Sequence, residues 1–325
     1  MLKRLLGARS GGKKAAGLPP NLTIYSPLVA PPTHEVFRRI NQHLSVPRIV
    51  RDLRRLVDPT PVVLALPPTQ TTLDLVSRLE PRLTWYHCVL NYEKYPGTPA
   101  DIRDTERQLL QIADTVTVDS GFLKEKHRGV RPDMIHIESG VDFELFRRAE
   151  TGPLKSPART LYYFGTADDP WFDFDLVRKV TEAGFTVRML GTLTEPSFAK
   201  TPGIEYLGKV PHKLLPEHLR EADALIIPYK ITSFSKGTFP AKTYESLATG
   251  KPVVATPLPD LKWLGEHIYF GKGAEEFVGI LRGLHKSETP ERIRARVELA
   301  RENSWEARFA TFEEILWTNL SGYSS

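Results

Sequence analysis

The sequence predicts an α/β fold with two Rossmann-like, doubly wound domains. Short apolar strand-like runs alternate with helix-like segments along most of the 325 residues, which favours parallel sheets covered by helices. The alternation lapses once, over residues 147–160, in a segment rich in Pro, Gly, Ser, Thr and charged residues that is typical of a linker. A chain of this length exceeds one small core, so two domains are expected.

The predicted domain boundaries follow from that lapse. Residues 1–20 are expected to form a basic tail, residues 21–150 the first domain, residues 151–304 the second domain and residues 305–325 a closing helix. Ligands of open α/β sheets bind at the carboxyl ends of the strands. We therefore expect the loops after the strands of the second domain to line a cleft.

Hydrophobic periodicity defines the elements of the first domain. Strands are predicted at 22–26, 62–66, 83–89, 115–118 and 134–137, and helices at 36–56, 71–79, 101–113 and after the capping pair Asp119-Ser120. Pro47 is expected to interrupt the first helix, because proline lacks the N–H that a helix interior needs.

The rest of the chain repeats the pattern. Strands are predicted at 161–164, 186–190, 204–207, 224–227, 253–256 and 267–270, and helices at 174–183, 214–222, 275–284, 291–302 and 305–320. A further short helix is expected between Pro240, which suits a first helical turn, and Gly250, which suits a left-handed C-terminal position. Lys242 and Glu245 lie three residues apart on it, so both can serve one ligand.

Composition excludes several classes of protein. The single cysteine, Cys88, rules out an intrachain disulfide framework and provides no cysteine cluster for a metal. The sequence contains no run of 18 apolar residues and no visible secretory signal, so a membrane span is not expected.

Positive charge is concentrated at the start of the chain. Residues 1–55 hold 11 lysines and arginines against two acidic residues, a net charge of +9, whereas the remaining residues sum to −4. This asymmetry favours an anionic partner, either phospholipid headgroups or a polyphosphate ligand. A solvated basic face with a disordered tail is the alternative. Nucleic acid is disfavoured, because the basic region lacks interleaved aromatic residues and matches no nucleic-acid-binding motif.

The segment PAKTYESLATGKPVVATPLPDL, residues 240–261, resembles the C-terminal signature of GT-B glycosyltransferases of group 1 (family 4-like), the bacterial cell-surface polysaccharide type. In that family a segment of the form P-x-K-x-x-E-x-x-A-x-G-x-P-V-V binds the nucleotide-sugar donor. Residues 161–165, 206–211 and 219–228 resemble the family's first glycine turn, its base-binding turn and the step before its donor loop. More diffuse similarity extends the resemblance over residues 20–320.

The resemblance implies a GT-B-like fold, in which two Rossmann-like domains face each other across a cleft. Residues 21–150 would be the acceptor-side domain, residues 151–304 the nucleotide-sugar-binding domain, and residues 305–325 a helix that crosses back. The family's first strand and glycine-rich loop have no counterpart in the sequence, so the first domain is expected to be shortened.

The implied activity is transfer of a sugar, of hexosyltransferase type, from a UDP- or GDP-linked donor to a saccharide or lipid-linked acceptor in polysaccharide or glycolipid biosynthesis. No Asp-x-Asp motif lies in a suitable loop, so metal-independent transfer is implied, and retention of configuration is favoured. No cofactor is implied, since the nucleotide-sugar is a substrate. The enzyme would be cytoplasmic, held peripherally at the inner membrane face by its basic N-terminal third.

The resemblance also assigns residues to the donor. Glu245 resembles the ribose-binding glutamate, because a carboxylate accepts hydrogen bonds from both hydroxyls of a diol. Lys242, with Lys236 in reserve, would stabilise the leaving diphosphate. The other positions expected to contact the donor are Tyr229, Ser235, Gly237, Thr238, Gly165, Thr166, Gly208 and Val210.

The acceptor side offers fewer candidates. His87 ends a predicted strand beside the cleft, where the family often carries Asp or His, and is the candidate catalytic or acceptor-binding residue. A buried core histidine is an equally open interpretation. Glu93 and Asp119 are weaker acceptor-side candidates.

Departures from the family pattern leave two alternatives. The family's usual glutamate eight residues before Glu245 is Gly237 here, and the usual arginine after the first glycine turn is Thr166. A non-catalytic GT-B-like protein that binds a nucleotide or a partner enzyme is therefore the main alternative. A nucleotide-sugar epimerase of the same fold is the third hypothesis.

Overall fold

The computed structural model describes residues 19–31 and 34–321, and its strands form two sheets. The first sheet consists of four strands in chain order: β1 (Val62–Ala65), β2 (Leu83–Cys88), β3 (Thr115–Val118) and β4 (Ile135–His136). β1 pairs with β2, and β3 with β4, in parallel. The helices of this part are α1 (Glu35–Ile40), α2 (Val46–Leu53), α3 (Gln70–Leu79), α4 (Ile102–Ile112) and α5 (Gly121–His127).

The second sheet has six parallel strands. They are β5 (Thr160–Phe164), β6 (Thr186–Leu190), β7 (Ile204–Gly208), β8 (Ala224–Ile227), β9 (Val253–Ala255) and β10 (Tyr269–Phe270). Their spatial order is β10-β9-β8-β5-β6-β7, the doubly wound order of a Rossmann fold. Successive strands are added towards one edge of the sheet from β5 to β7 and towards the other edge from β8 to β10. Ligands of such sheets bind outside the carboxyl ends of the two strands, here β5 and β8, at which this order reverses.

Helices cover the second sheet and close the chain. They are α6 (Phe143–Phe146), α7 (Phe174–Glu182), α8 (Leu215–Leu219), α9 (Lys242–Ala248), α10 (Gly273–Ser287), α11 (Pro290–Glu302) and α12 (Trp305–Ser321). The apolar strand residues predicted to be covered on both faces form the core here: Leu161, Val187, Leu225 and Val254 are almost completely buried. Within the described ranges, no helix is long and apolar enough to cross a membrane.

The chain packs as two compact units. One contains the residues up to 86 together with residues 97–115, and the other contains residues 87–96 together with those from 116 onwards. The predicted boundaries at residues 20, 150 and 304 stay predictions. Most of the predicted basic tail, residues 1–18, lies outside the described residues.

The predicted strand at residues 22–26 is wrong. Only Ile24 takes part in a β-bridge, and the segment is extended without a continuous ladder. Side-chain hydrogen bonds hold this region instead. Tyr25 Oη donates to Asp52 over 2.9 Å, and the Asn41 amide makes two 2.8 Å bonds with the backbone of Ala30. These side-chain contacts, and not a strand ladder, attach the extended segment to α2 and to the π-helical turn that precedes it.

Pro47 does not interrupt the helix that the periodicity predicts. α1 continues through a π-helical turn, Asn41–Ser45, directly into α2, and Pro47 lies at the start of α2. A π turn shifts the hydrogen-bond pattern by one residue, so the missing N–H of proline is accommodated without a break. The expectation of an interruption is therefore wrong.

A buried ion pair fixes the end of α9 against α11. Arg296 is completely buried and binds both carboxylate oxygens of Glu288, while its Nε and Nη2 donate to the carbonyl of Gly250 over 3.2 and 3.0 Å. Gly250 has φ +69°, the left-handed conformation expected at a helix C-terminus. The guanidinium thus satisfies both a buried carboxylate and a carbonyl at the end of a helix.

Replacing Arg296 with methionine is expected to lower the free energy of unfolding by about 3 kcal/mol, because the buried carboxylate of Glu288 would lose its two-point partner and keep only Arg292, at 4.0 Å, and the hydrogen bond from Tyr269. Urea denaturation followed by circular dichroism measures this change. Arg294→Met is the control on the same helix: the side chains of Arg294 and its partner Glu291 are both about 70% exposed, so the loss should stay below about 1 kcal/mol. Equal losses in the two variants would contradict a structural role for the buried pair.

Candidate active site

Three strand ends meet at glycine turns on the carboxyl edge of the second sheet. The Gly165 amide donates to the Leu190 carbonyl, and the Gly191 amide to the Gly208 carbonyl, each over 2.8 Å. Gly165 and Gly191 have φ values of +115° and +124°, and a Cβ at Gly191 would lie 2.1 Å from the Gly165 carbonyl oxygen. The backbone turns after β5 and β6 therefore touch, which only glycine allows. Gly165 and Gly208, both predicted site positions, are brought together here.

The ammonium of Lys242 lies inside an aromatic cage beside these turns. Its Nζ is 4.0 Å from the centroid of the Tyr163 ring, 5.2 Å from that of Tyr229 and 5.9 Å from that of Phe164. A Cβ at Gly165 would lie 2.7 Å from this nitrogen. Lys242 is only 9% exposed, and within the described residues no carboxylate forms an ion pair with it. The structure thus places a partly desolvated cation next to the glycine turn, while its predicted role in binding the diphosphate stays a prediction.

The acidic side chain of Asp168 lies near the Lys242 ammonium but does not form an ion pair with it. Burial raises the pKa of Asp168, while the charge of Lys242 lowers it. One carboxylate oxygen of Asp168 is buried without a hydrogen-bond partner. Thr166, the predicted neighbour of the glycine turn, is exposed, and its carbonyl accepts a 2.6 Å hydrogen bond from Tyr163. The turn after β5 therefore contributes backbone and a carboxylate where the family usually has basic residues.

Glu245 follows Lys242 on α9 and is held by a histidine. His212 Nε2 lies 2.7 Å from Glu245 Oε1, and the His212 ring packs edge-on against Phe146. Burial raises the pKa of Glu245, and hydrogen bonding to His212 and the charges of His212 and Lys242 lower it. His212 lies four residues after Gly208, at the end of the predicted base-binding turn, where Val210 is half-buried. The predicted base-binding turn ends at Pro211, so His212 is not among the residues predicted from the sequence.

The loop between β8 and α9, residues 228–239, is held together by hydrogen bonds within the loop. The Ser235 hydroxyl donates to the Lys230 carbonyl and accepts from the Thr232 amide, so it organises the loop. The Thr238 hydroxyl is buried without a hydrogen-bond partner, and Lys236 is exposed. In the structure the Ser235 hydroxyl bonds to the backbone of its own loop, and the Lys236 side chain is exposed to solvent. The donor-binding roles predicted for both residues stay predictions.

Gly237, at the position of the family's usual glutamate, is closely packed. A Cβ at this position would lie 3.1 Å from Asn91 Cβ and from Leu123 Cδ2, and 3.2 Å from Phe122 Cδ1. A larger residue here would require these neighbours to shift by a few tenths of an ångström. The carboxylate that the family uses at this position therefore has no direct replacement in the loop.

His87 is half-buried and has contacts with a neighbouring strand and with α12. Its Nδ1 lies 2.8 Å from the Thr117 hydroxyl, and its ring contacts Phe312 of α12 edge-on at 5.9 Å. Burial lowers the pKa of His87, which keeps the imidazole neutral. Its catalytic role stays a prediction, and these contacts favour the core interpretation.

Of the two weaker acceptor-side candidates, Asp119 and Glu93, Asp119 has the larger pKa shift. Burial, reinforced by the negative charges of Asp260 and Glu138, raises the pKa of Asp119 to about 8, and its Oδ1 is buried without a hydrogen-bond partner. Asp260 is itself engaged: it accepts from the Ser120 hydroxyl over 2.7 Å and from the Phe122 amide over 3.2 Å. Glu93 forms ion pairs with lysines and its pKa is lowered. A carboxyl held neutral near pH 7 fits Asp119 better than an ionised base does.

The raised pKa of Asp119 predicts a pH-dependent stability. A carboxyl whose pKa is raised by folding stabilises the fold below its ordinary pKa near 3.8, and this contribution is lost as the pH rises through about 8. Asp119→Asn keeps the neutral shape and does not titrate, so its melting temperature relative to the parent should increase between about pH 5 and pH 8 and change little above about pH 9. Differential scanning fluorimetry measures the difference.

Asp169→Asn is the control for this series, because the Asp169 side chain is 88% exposed. Its melting temperature relative to the parent should not change with pH. A parallel trend in both variants would show that Asp119 is not the titrating group.

Comparison with known proteins identifies the fold. Residues 173–281 match the family model described as Glycosyl transferases group 1. Over 175 residues the chain is 29% identical to TuaH of Bacillus subtilis (strain 168), whose name proposes a teichuronic acid biosynthesis glycosyltransferase; the match covers 49% of this chain and 44% of TuaH. The chain therefore spans less than half of that relative.

Solved structures agree over most of the chain. HepE of Anabaena, in complex with UDP and glucose, has a TM-score of 0.66 at 15% identity and covers 86% of this chain and 83% of its own. Sucrose-phosphate synthase of Thermosynechococcus elongatus has a TM-score of 0.65 at 16% identity, with 88% and 80% covered. TarM has a TM-score of 0.62 at 10% identity, with 83% and 58% covered. The predicted α/β, GT-B-like fold and the resemblance to group 1 glycosyltransferases are confirmed.

Proposed function

We propose that this chain is a glycosyltransferase that moves a sugar from a nucleotide-sugar donor to a saccharide or lipid-linked acceptor. One observation carries the proposal: Lys242 and Glu245 lie on consecutive turns of one helix, at the switch point of a Rossmann sheet, with the lysine unpaired and the carboxylate oriented. Such a pair suits a ligand that presents a diphosphate and a ribose diol. The similarity of residues 173–281 to group 1 glycosyl transferases supports the same assignment.

The chemistry required of the protein is electrostatic. When the bond between the sugar and the diphosphate breaks, negative charge accumulates on the leaving diphosphate, and the Lys242 ammonium, already partly dehydrated in its cage, stabilises that charge. Glu245, positioned by His212, accepts hydrogen bonds from the ribose hydroxyls and fixes the nucleotide. This role of a side-chain cation, together with the lack of an Asp-x-Asp motif in a suitable loop, supports metal-independent transfer.

Retention of configuration is the favoured stereochemical course of the proposal. Inversion requires a general base beside the acceptor, and the candidate from the sequence, His87, is packed between Thr117 and Phe312.

UDP is the first nucleotide to examine, because HepE is described in complex with it, and GDP is the second. The name of TuaH supports a role in polysaccharide or glycolipid assembly.

Nucleotide titration tests the proposal. In calorimetric titrations with UDP and GDP, Lys242→Met should weaken binding of the preferred nucleotide about tenfold or more, because a charge-assisted contact contributes about 1.5–3 kcal/mol. Glu245→Gln should weaken it comparably, and parent binding should decline as the pH falls through the raised pKa of Glu245, at a higher pH than for an ordinary glutamate.

Lys179→Met serves as the control, because Lys179 is an exposed lysine of α7 with no predicted donor contact and its loss should change affinity little. If neither UDP nor GDP binds the parent, the donor site is refuted. Nucleotide binding at parent strength without sugar turnover, with a membrane extract as the source of acceptor, would instead support the non-catalytic alternative. The glycine at position 237, where the family usually has a glutamate, favours that alternative.

We also propose that the protein works at the cytoplasmic face of an anionic membrane. The surface formed by α1, the π turn and α2 supports this, since apolar side chains and arginines are exposed side by side there: Val36, Phe37, Ile40, Leu44, Arg39, Arg51 and Arg54. Apolar side chains can enter the headgroup region while arginines contact phosphates.

Vesicle sedimentation tests this localisation. Phe37→Ser combined with Val36→Ser should reduce binding to vesicles containing phosphatidylglycerol, and deletion of residues 2–17 should reduce it further, because each basic residue near the surface contributes about 1 kcal/mol. Neutral phosphatidylcholine vesicles and the variant Trp263→Ser, which changes an exposed aromatic residue of the other compact unit, are the controls. Unchanged sedimentation of both the double variant and the deletion would eliminate the membrane proposal.

A further inference from the structure

We infer that Asn91 is a positioning residue that holds the donor loop, residues 230–239, in its binding conformation. Asn91 lies in the loop after β2 and is 3% exposed. Its Nδ2 donates to the Ser233 carbonyl over 2.9 Å, and its Oδ1 accepts from Lys126 Nζ over 2.7 Å. The inference rests on the proposed function, because it concerns the loop that leads into Lys242.

The orientation of the Asn91 amide is determined by its partners. A lysine ammonium can only donate and a backbone carbonyl can only accept. The amide oxygen of Asn91 must therefore face Lys126, and its amide nitrogen must face the Ser233 carbonyl. Neither end can be exchanged without placing two donors or two acceptors together. Asn91 therefore links α5, through Lys126, to the donor loop with a fixed geometry.

Packing reinforces the link on both sides of Asn91. Gly237 lies so close that a Cβ would be 3.1 Å from Asn91 Cβ, and the Tyr95 ring contacts the Phe234 ring edge-on at 5.1 Å. The Phe234 ring in turn packs on Trp171, at 4.2 Å between centroids. The donor loop is thus fixed between the segment at 91–95 and the loop that follows β5.

The consequence concerns the relation between the two substrates. Residues 90–97 belong to the segment expected on the acceptor side, and the same segment carries the hydrogen bond that orders the donor loop. An acceptor that moves this segment must therefore change the free energy of ordering the donor loop, and donor binding must reciprocally affect the acceptor segment. Asn91 acts through the loop and not by touching the donor.

Asn91→Asp tests the inference with minimal change of shape. The remaining oxygen still accepts from Lys126, but a carboxylate oxygen now faces the Ser233 carbonyl, so the donor loop loses its hydrogen bond and is repelled. Amide hydrogen exchange at residues 230–239 should accelerate about tenfold, and the dissociation constant for UDP or GDP should rise about tenfold. Gly237→Ala, which presses on Asn91 from the loop side, should shift both quantities in the same direction.

Asn303→Asp is the matched control. The Asn303 amide also donates to a backbone carbonyl, that of Leu299 at 2.7 Å, and accepts from a cation, Arg308. It should leave exchange at 230–239 and nucleotide affinity at parent values. Equal exchange in the Asn91 and Asn303 variants would overturn the inference, as would faster exchange with unchanged affinity. A parent that binds no nucleotide would refute the proposed function, while the exchange comparison would still decide whether Asn91 orders the loop.

Discussion

The confinement of one ammonium group, that of Lys242, is the constraint on which the site depends. A lysine removed from water needs compensation, and here the faces of Tyr163, Tyr229 and Phe164 provide it through cation–π attraction. Tyr163 and Phe164 come from β5, and Tyr229 follows β8, so the order of the strands creates the cage. Gly165 leaves the remaining side free of a side chain. The sheet therefore holds a largely buried cation that, among the described residues, forms no ion pair with a carboxylate.

Much of this arrangement could be predicted from local sequence. The alternation of strands and helices, the glycine that ends α9 and the serine that caps α5 depend on interactions within a few residues, and the structure confirms all three. The spacing of Lys242 and Glu245 also depends only on their common helix. Predictions of this kind succeed because propensity, capping and periodicity are local properties.

The features that were missed arise from contacts distant in sequence. His212 approaches Glu245 across 33 residues and Asn91 reaches Ser233 across 142, so no local pattern marks either residue. The close approach of Gly191 to Gly165 is also invisible until the neighbouring strands are placed. The wrong strand at 22–26 has the opposite cause: its local pattern was suitable, but a strand needs a partner, and local periodicity cannot provide one.

The cap that Asp260 provides to α5 links structure to the order of synthesis. Asp260 accepts from the Ser120 hydroxyl and from the Phe122 amide, 140 and 138 residues earlier in the chain. The first turn of α5 thus cannot acquire its complete set of hydrogen bonds on the ribosome until the segment after β9 has emerged. Contacts of such long range slow folding, because the chain between them must be closed before they form. Until then the Phe122 amide lacks its acceptor, so α5 is completed only after most strands of the second sheet have been synthesised.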